Sequence, residues 1–203
     1  MKKRRFWPIA CLLTVLLCVV LAVYCTSWGF AREVGKNERQ LRLEFVHTAE
    51  SWLGANEKDG SHHAIIDLYN TQGPLARGYT VTYKDAWCAT FDSVVAIQCG
   101  LTDIIPTECS CGQQIQLLQS INAWEEADDY IPLPGDLIYY HRTCTELGDC
   151  THWPDHVGIV VGTRGSQIKV IEGNYGNKVG YRITKVDAAN IRGYGIPDFA
   201  NKT

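Results

Sequence analysis

The spacing of apolar residues divides the chain into a helical first part and a strand-rich second part. From Lys36 to Leu53, apolar residues recur every three or four positions, which predicts an amphipathic helix that ends at Gly54. Three more segments are predicted to be helical: Ser61–Asn70, Cys88–Cys99 and Cys111–Trp124. Gly100 follows the third predicted helix directly and is suited to cap its carboxyl end.

After Pro132 the pattern changes to short stretches bounded by turn residues, which is typical of strands. Five strands are predicted: Asp136–His141, His156–Gly162, Ile168–Asn174, Tyr181–Val186 and Ile191–Ile196. A brief strand or extended lead-in is predicted over Tyr79–Tyr83. Helices followed by an antiparallel sheet indicate an α+β fold. Because no internal repeat or low-complexity linker interrupts the pattern, we expect residues 32–203 to form one domain.

Residues 1–31 have the pattern of a targeting segment. Four basic residues, Lys2–Arg5, precede an uncharged and mostly apolar stretch from Phe6 to Ala31. As a helix, such a stretch can span about 30 Å of hydrocarbon. It is longer than the apolar core of an ordinary signal peptide, which favours an uncleaved signal anchor over cleavage after Ala31. In both cases residues 32–203 are expected outside the cytoplasm, on the cell membrane through a single span or secreted.

Charge and cysteine content narrow the choice of partners. The net charge is −3, and no long basic run lies beyond the N-terminus, so nothing favours nucleic-acid binding. Six of the nine cysteines fall in the exported part: Cys88, Cys99, Cys109, Cys111, Cys144 and Cys150. An exported location permits disulfides. Cys144 and Cys150 are the most plausible bridge, whereas Cys109 and Cys111 could pair with each other or with Cys99.

Cys88 stands where an extended segment passes into a predicted helix. The partial positive charge at a helix N-terminus stabilises a thiolate, and the free N–H groups there can hold a developing oxyanion. Cys88 is therefore a candidate nucleophile. The alternative is a buried structural cysteine, since free cysteine is among the most buried residue types.

His156 opens a predicted strand and is the candidate base. If the hairpin folds about Gly165, His156 lies opposite Asn174, and Glu172 lies one pair further along. A slip of two residues would place Glu172 opposite instead, so either polar residue could bond the imidazole and fix its tautomer. With Cys88, these residues supply the nucleophile, base and orienting acceptor of covalent catalysis. The alternative is a histidine at a hairpin end beside a solvated glutamate.

Four segments resemble, in order, the core motifs of CHAP domains, the cysteine, histidine-dependent amidohydrolases/peptidases of the papain-like superfamily. The segments are DAWCATF at 85–91, PGDLIYY at 134–140, DHVGIV at 155–160 and IEGN at 171–174. The resemblance covers about residues 45–199. It implies a papain-like fold, with N-terminal helices packed on an antiparallel sheet. It also implies hydrolysis of peptidoglycan amide bonds, by an N-acetylmuramoyl-L-alanine amidase or a cell-wall endopeptidase.

The resemblance also implies roles for individual residues. Cys88 attacks the carbonyl carbon, and its backbone N–H helps to stabilise the oxyanion. His156 takes the thiol proton and returns it to the leaving amine, and Glu172 orients His156, with Asn174 as polar support or the alternative orienter. Activity is then expected to fall as the pH drops through the titration of His156. We expect a monomer whose partners are peptidoglycan and, through the N-terminal helix, the membrane.

Two features depart from the family pattern. Asp92 lies one turn after Cys88, and its carboxylate would disfavour the thiolate if it points inward. The acidic calcium loop of some phage members is missing, so we expect no metal and no cofactor.

Three alternatives remain open on the sequence. Four residues, Cys144, Cys150, His152 and His156, have the ligand types of a zinc site. A catalytically inactive wall-binding or assembly module of the same fold is the second alternative, and an NlpC-type peptidase is the third.

Overall fold

The computed structural model describes Gly35 and residues 37–144 and 150–202. In this part of the chain, four α-helices lead into a six-stranded antiparallel sheet, so the predicted α+β fold is confirmed. The predicted anchor at 1–31 lies outside the described residues. Among the described residues, no helix is both long and apolar enough to cross a lipid bilayer.

The helices occur where the apolar pattern predicted them. Helix α1 runs to residue 50, and α2, α3 and α4 have the bounds His63–Asn70, Cys88–Gln98 and Cys111–Ser120. Helix α3 is buried on all sides from Cys88 to Ala96, which makes it the central helix of the domain. It ends as predicted, because Gly100 adopts a left-handed backbone (φ +64°) and Leu101 N–H donates to Ala96 O at 2.9 Å.

The sheet has the strand order β1-β6-β2-β3-β4-β5, and every neighbouring pair is antiparallel. The strands are β1 (Trp124–Glu125), β2 (Leu137–Tyr140), β3 (His156–Arg164), β4 (Gln167–Glu172), β5 (Gly180–Lys185) and β6 (Ile191–Gly195). The five predicted strands are thus confirmed as β2 to β6. The segment Tyr79–Tyr83 is extended and then turns, without joining the sheet.

The predicted extension of α4 to Trp124 is wrong. The helix stops at Ser120, because Asn122 adopts a left-handed backbone (φ +55°) and Ala123 N–H donates to Leu118 O at 2.9 Å. The chain reverses there and forms β1, which pairs with β6 at the edge of the sheet.

Alternate residues of the strands face two separate apolar clusters, as a period of two requires. The cluster that includes α3 takes Tyr139, Val157 and Ile171 from the sheet. The second cluster takes Tyr140 and Val170 among the intervening residues. Because α3 packs against β3 and β4, its first residue lies close to the ends of those strands.

The six cysteines among the described residues are free thiols in this structure. The predicted Cys144–Cys150 bridge is not formed, although the two thiols are neighbours. Cys99 instead contacts the Thr48 hydroxyl at 3.2 Å, and Cys109 lies 3.5 Å from the Arg77 guanidinium, so neither is paired with Cys111.

Candidate active site

Cys88 is the first residue of α3 and is 4% exposed. Its position is fixed by the residue before it, because the Trp87 side chain is fully buried and donates from Nε1 to Glu57 Oε1 at 3.0 Å. No side chain caps the helix at Trp87. The backbone N–H of Ala89 donates to the Cys88 sulfur. The helix N-terminus therefore stabilises negative charge on this sulfur, as the sequence predicted.

His156 is the first residue of β3, and its ring is buried between two predicted partners. Its Nε2 lies 2.9 Å from Glu172 Oε2. The ring also hydrogen-bonds to the Cys88 thiol. Because Glu172 occupies Nε2, Nδ1 is the nitrogen that remains for the sulfur. Three residues from α3, β3 and β4 thus form one continuous hydrogen-bonded line.

Glu172 is the last residue of β4 and is fully buried. A buried carboxylate needs a compensating charge, and Arg182 on β5 supplies it by donating from Nε to Glu172 Oε1 at 2.7 Å. The guanidinium of Arg182 lies over the rings of Tyr175 and Tyr140, at 4.6 Å and 5.0 Å from their centroids. Arg182 was not among the residues predicted from the sequence. The β4–β5 register, which pairs Val170 with Arg182, is the signal that points to it.

A glycine in β3 determines that Glu172, and not Asn174, bonds to His156. The observed pairs Ile159–Ile171 and Val160–Val170 follow the predicted register. Continued by one pair, this register sets Gly158 opposite Glu172, and a Cβ built on Gly158 would lie only 2.5 Å from Glu172 Cγ. The Glu172 side chain thus crosses the space that Gly158 leaves open, and from there it reaches His156.

Asn174 lies in the turn after β4. It has a left-handed backbone (φ +55°) and is half-buried. Its side chain makes no hydrogen bond to any residue that the structure describes. The structure therefore brings together Cys88, His156 and Glu172 from the predicted set and leaves Asn174 outside the hydrogen-bonded line.

A methyl group at Gly158 is expected to displace Glu172 from His156. The Gly158→Ala protein should be destabilised by about 1–3 kcal/mol through overpacking, and iodoacetamide should alkylate its Cys88 more slowly at pH 7. Thermal unfolding and the rate of alkylation measure the two effects. Gly162→Ala, in the same strand with nothing within 4 Å of the added Cβ, is the matched control. An unchanged alkylation rate in a correctly folded Gly158→Ala protein would contradict this account of Glu172.

The charges of the site favour a thiolate beside an imidazolium. Hydrogen bonds from Cys111, His156 and the Ala89 N–H outweigh burial and hold the pKa of Cys88 well below its usual value. Burial alone would lower the pKa of His156, but hydrogen bonds with Cys88 and Glu172 raise that pKa to about 9.

This result changes the expected pH dependence. With this pKa His156 carries its proton at neutral pH, so a loss of activity in acid is expected to follow protonation of Cys88. The titration of His156 is instead expected to cause a loss as the pH rises through about 9, because a leaving amine would then have no proton donor.

Cys111 is a further candidate site residue, which the sequence indicated only as a possible disulfide partner. It is the first residue of α4, and its sulfur lies 3.6 Å from that of Cys88. The contact with Cys88 and burial both raise the pKa of Cys111, so it remains a thiol and donates its proton to the Cys88 thiolate. No motif pointed to this contact, because it joins two helices across a long loop.

The Asp92 side chain points inward, which is the orientation in which a carboxylate would disfavour the Cys88 thiolate. Both carboxyl oxygens are buried without a hydrogen-bond partner among the described residues. Burial, together with the negative charge of Cys88, raises the pKa of Asp92 well above its usual value. The group is therefore a neutral carboxylic acid, and a neutral acid does not repel the thiolate.

The structure does not assemble the zinc ligand set considered above. His156 contacts Cys88 and Glu172, whereas His152 stacks on His141 with ring centroids 5.0 Å apart. Within residues 37–144 and 150–202, no three histidine, cysteine or acidic side chains are grouped so that they could hold a metal ion.

Comparisons of the chain with protein-family models, with curated proteins and with solved structures find no match. The chemistry of the site must therefore be inferred from its geometry. A buried thiolate at a helix N-terminus, paired with a histidine that a carboxylate orients, is suited to nucleophilic attack on a carbonyl carbon.

Proposed function

We propose that this protein is a cysteine hydrolase of CHAP type with a papain-like fold, and that it cleaves amide bonds of peptidoglycan at the cell envelope. The observation that carries the proposal is the His156 ring, which bonds to Cys88 on one side and to Glu172 on the other. A structural cysteine does not need such a base. The four sequence motifs supply the substrate class, and residues 1–31 supply the location.

The reaction follows from the protonation states of the pair. The Cys88 thiolate attacks the amide carbonyl carbon, and the backbone N–H groups at the start of α3 stabilise the oxyanion. His156 gives its proton to the leaving amine as the C–N bond breaks, which leaves a thioester on Cys88. Neutral His156 then takes a proton from water, the water oxygen attacks the thioester, and the carboxylic acid product leaves the regenerated thiolate.

A small groove lies beside the first turn of α4, next to the site. It has a volume of about 190 Å³, and its lining includes Gly112, Thr151, Trp153 and Arg192. The Trp153 side chain is 58% exposed and lies directly against Gly112, next to Cys111. An exposed aromatic ring beside an arginine is suited to sugar and peptide groups. An uncleaved anchor at 1–31 would limit hydrolysis to the cell's own wall.

The test is digestion of purified peptidoglycan by the reduced full-length protein, with mass spectrometry of the soluble products. An amidase separates the stem peptide from the muramic acid, whereas an endopeptidase creates a new amino group within the peptide, so the product masses identify the bond. Absence of soluble fragments from a folded and reduced protein would contradict the proposal.

The second candidate is an inactive module that binds or assembles the wall. Asp92 was the residue that favoured this candidate, and its neutral state removes that objection to catalysis. Co-sedimentation with insoluble peptidoglycan, without release of fragments, would support the binding module.

A further inference from the structure

The Cys88 sulfur contacts a second sulfur as well as His156. Cys111 Sγ lies 3.6 Å from Cys88 Sγ, and both side chains are buried. Each cysteine is the first residue of its helix, so the N-terminal ends of α3 and α4 meet at this contact. A disulfide places its sulfur atoms about 2.05 Å apart. A small approach of the two helix ends would therefore join them.

We propose that Cys88 and Cys111 form a reversible disulfide when the protein meets a peroxide, with Cys111 as the resolving thiol. The effect on activity rests on the proposed function, since Cys88 cannot attack a carbonyl carbon while it is in a disulfide. Formation of the disulfide does not depend on that function, because it requires only the two thiols and the oxidant.

The two thiols differ in the way that the reaction requires. Their contact lowers the pKa of Cys88 and raises the pKa of Cys111. Peroxides react with thiolates, so Cys88 is the thiol that is oxidised first. Cys111 keeps its proton and stays within reach of the oxidised sulfur.

The chemistry balances in two steps. The Cys88 thiolate attacks one oxygen of hydrogen peroxide, the O–O bond breaks, and a sulfenic acid and hydroxide result. The Cys111 sulfur then attacks the sulfenic sulfur, and the S–S bond forms as the S–O bond breaks. The hydroxyl group that departs takes the proton of the Cys111 thiol and leaves as water. The two thiols lose two electrons in total, and the peroxide gains them.

A nearby resolving thiol also protects the nucleophile. A sulfenic acid without a partner is oxidised further to a sulfinic acid, which thiol reductants do not reverse. Cys111 intercepts the sulfenic acid before that step. In an oxidising compartment, the pair would thus hold the protein in a form that a thiol reductant reactivates.

Cys109 provides the matched control. It lies two residues before Cys111 in the sequence, but its sulfur contacts the Arg77 guanidinium at 3.5 Å. The thiols of Cys144 and Cys150 are also close to each other and can be oxidised independently. The oxidised cysteines must therefore be assigned in individual peptides, because the mass of the whole protein cannot distinguish the two pairs.

The experiment exposes reduced full-length protein to hydrogen peroxide and maps its cysteines by differential alkylation and peptide mass spectrometry. Wild type and Cys109→Ser should give a linked Cys88–Cys111 peptide, and dithiothreitol should restore alkylatable Cys88. Cys111→Ser should give no linked peptide, and its Cys88 should gain two oxygen atoms. After dithiothreitol treatment, the Cys111→Ser protein should contain at least about tenfold less alkylatable Cys88 than wild type.

Two results would overturn the proposal. One is equal and irreversible oxidation of Cys88 in wild type and in a correctly folded Cys111→Ser protein. The other is a link from Cys88 to Cys109 in place of Cys111. Peptidoglycan release, measured on the same samples, separates the two proposals: a linked peptide from a protein that is inactive when reduced would refute the hydrolase and leave the disulfide established.

Discussion

The Cys88→Ala protein is expected to release peptidoglycan fragments at least about 10³-fold more slowly than wild type, because no thioester can form without the sulfur. Cys88→Ser should be similarly slow. A serine hydroxyl has a far higher pKa than a thiol, so the charges that ionise Cys88 would leave it protonated. Both proteins should keep the fold, since only one buried atom is removed or exchanged. Soluble fragments quantified over time, with circular dichroism for the fold, measure these effects.

Cys99→Ala is the matched control for this substitution. Cys99 directly follows the last residue of α3, so it lies at the opposite end of that helix from Cys88. It is half-buried, and its thiol contacts the Thr48 hydroxyl. The Cys99→Ala protein should retain nearly the full rate. If Cys88→Ala kept more than half of the wild-type rate, Cys88 would not be the nucleophile.

The Glu172→Gln protein is expected to lose about 10²-fold in rate, which is the range for removal of acid–base assistance. Arg182 donates to one oxygen of Glu172, so the oxygen of the introduced amide should turn toward Arg182. Its NH₂ group would then face Nε2 of His156, where two donors oppose each other. The pKa of His156 should fall, and the alkaline limb of the pH–rate profile should move down from about 9.

The Asn174→Ala protein also tests whether Glu172, and not Asn174, orients His156. Because the Asn174 side chain bonds to no described residue, this substitution should change the rate by no more than about threefold. Rates and pH–rate profiles of the two variants, measured under the same conditions, decide between the two candidates. A large loss in Asn174→Ala, with little effect in Glu172→Gln, would show that Asn174 orients His156.

Sequence patterns predicted the elements that carry the site because those elements depend on local rules. Helix α3 ends at the capping glycine Gly100, and the β3–β4 hairpin follows from the turn at Gly165. The position of Cys88 at a helix start, and the pairing of His156 with a polar residue of the next strand, follow from those elements.

The remaining features depend on tertiary packing. Cys111 reaches Cys88 only because α4 packs its first turn beside that of α3, and the 22 residues between them give no sign of it. Asp92 is buried because α3 is enclosed on all sides, whereas a polar residue on a helix ordinarily faces solvent. The early end of α4 at Ser120 was missed because Asn122, and not a glycine, takes the left-handed position.

We infer that His156 and its neighbours hold Cys88 as a thiolate. The most direct test is the pH dependence of Cys88 alkylation by iodoacetamide in the reduced protein, followed in the Cys88 peptide by mass spectrometry. A thiol reacts as its thiolate, so the rate rises through the pKa of the thiol. In wild type, the midpoint should lie well below the ordinary thiol value of about 8.5, and His156→Ala should move it upward. An ordinary midpoint in wild type, unchanged by His156→Ala, would contradict the account.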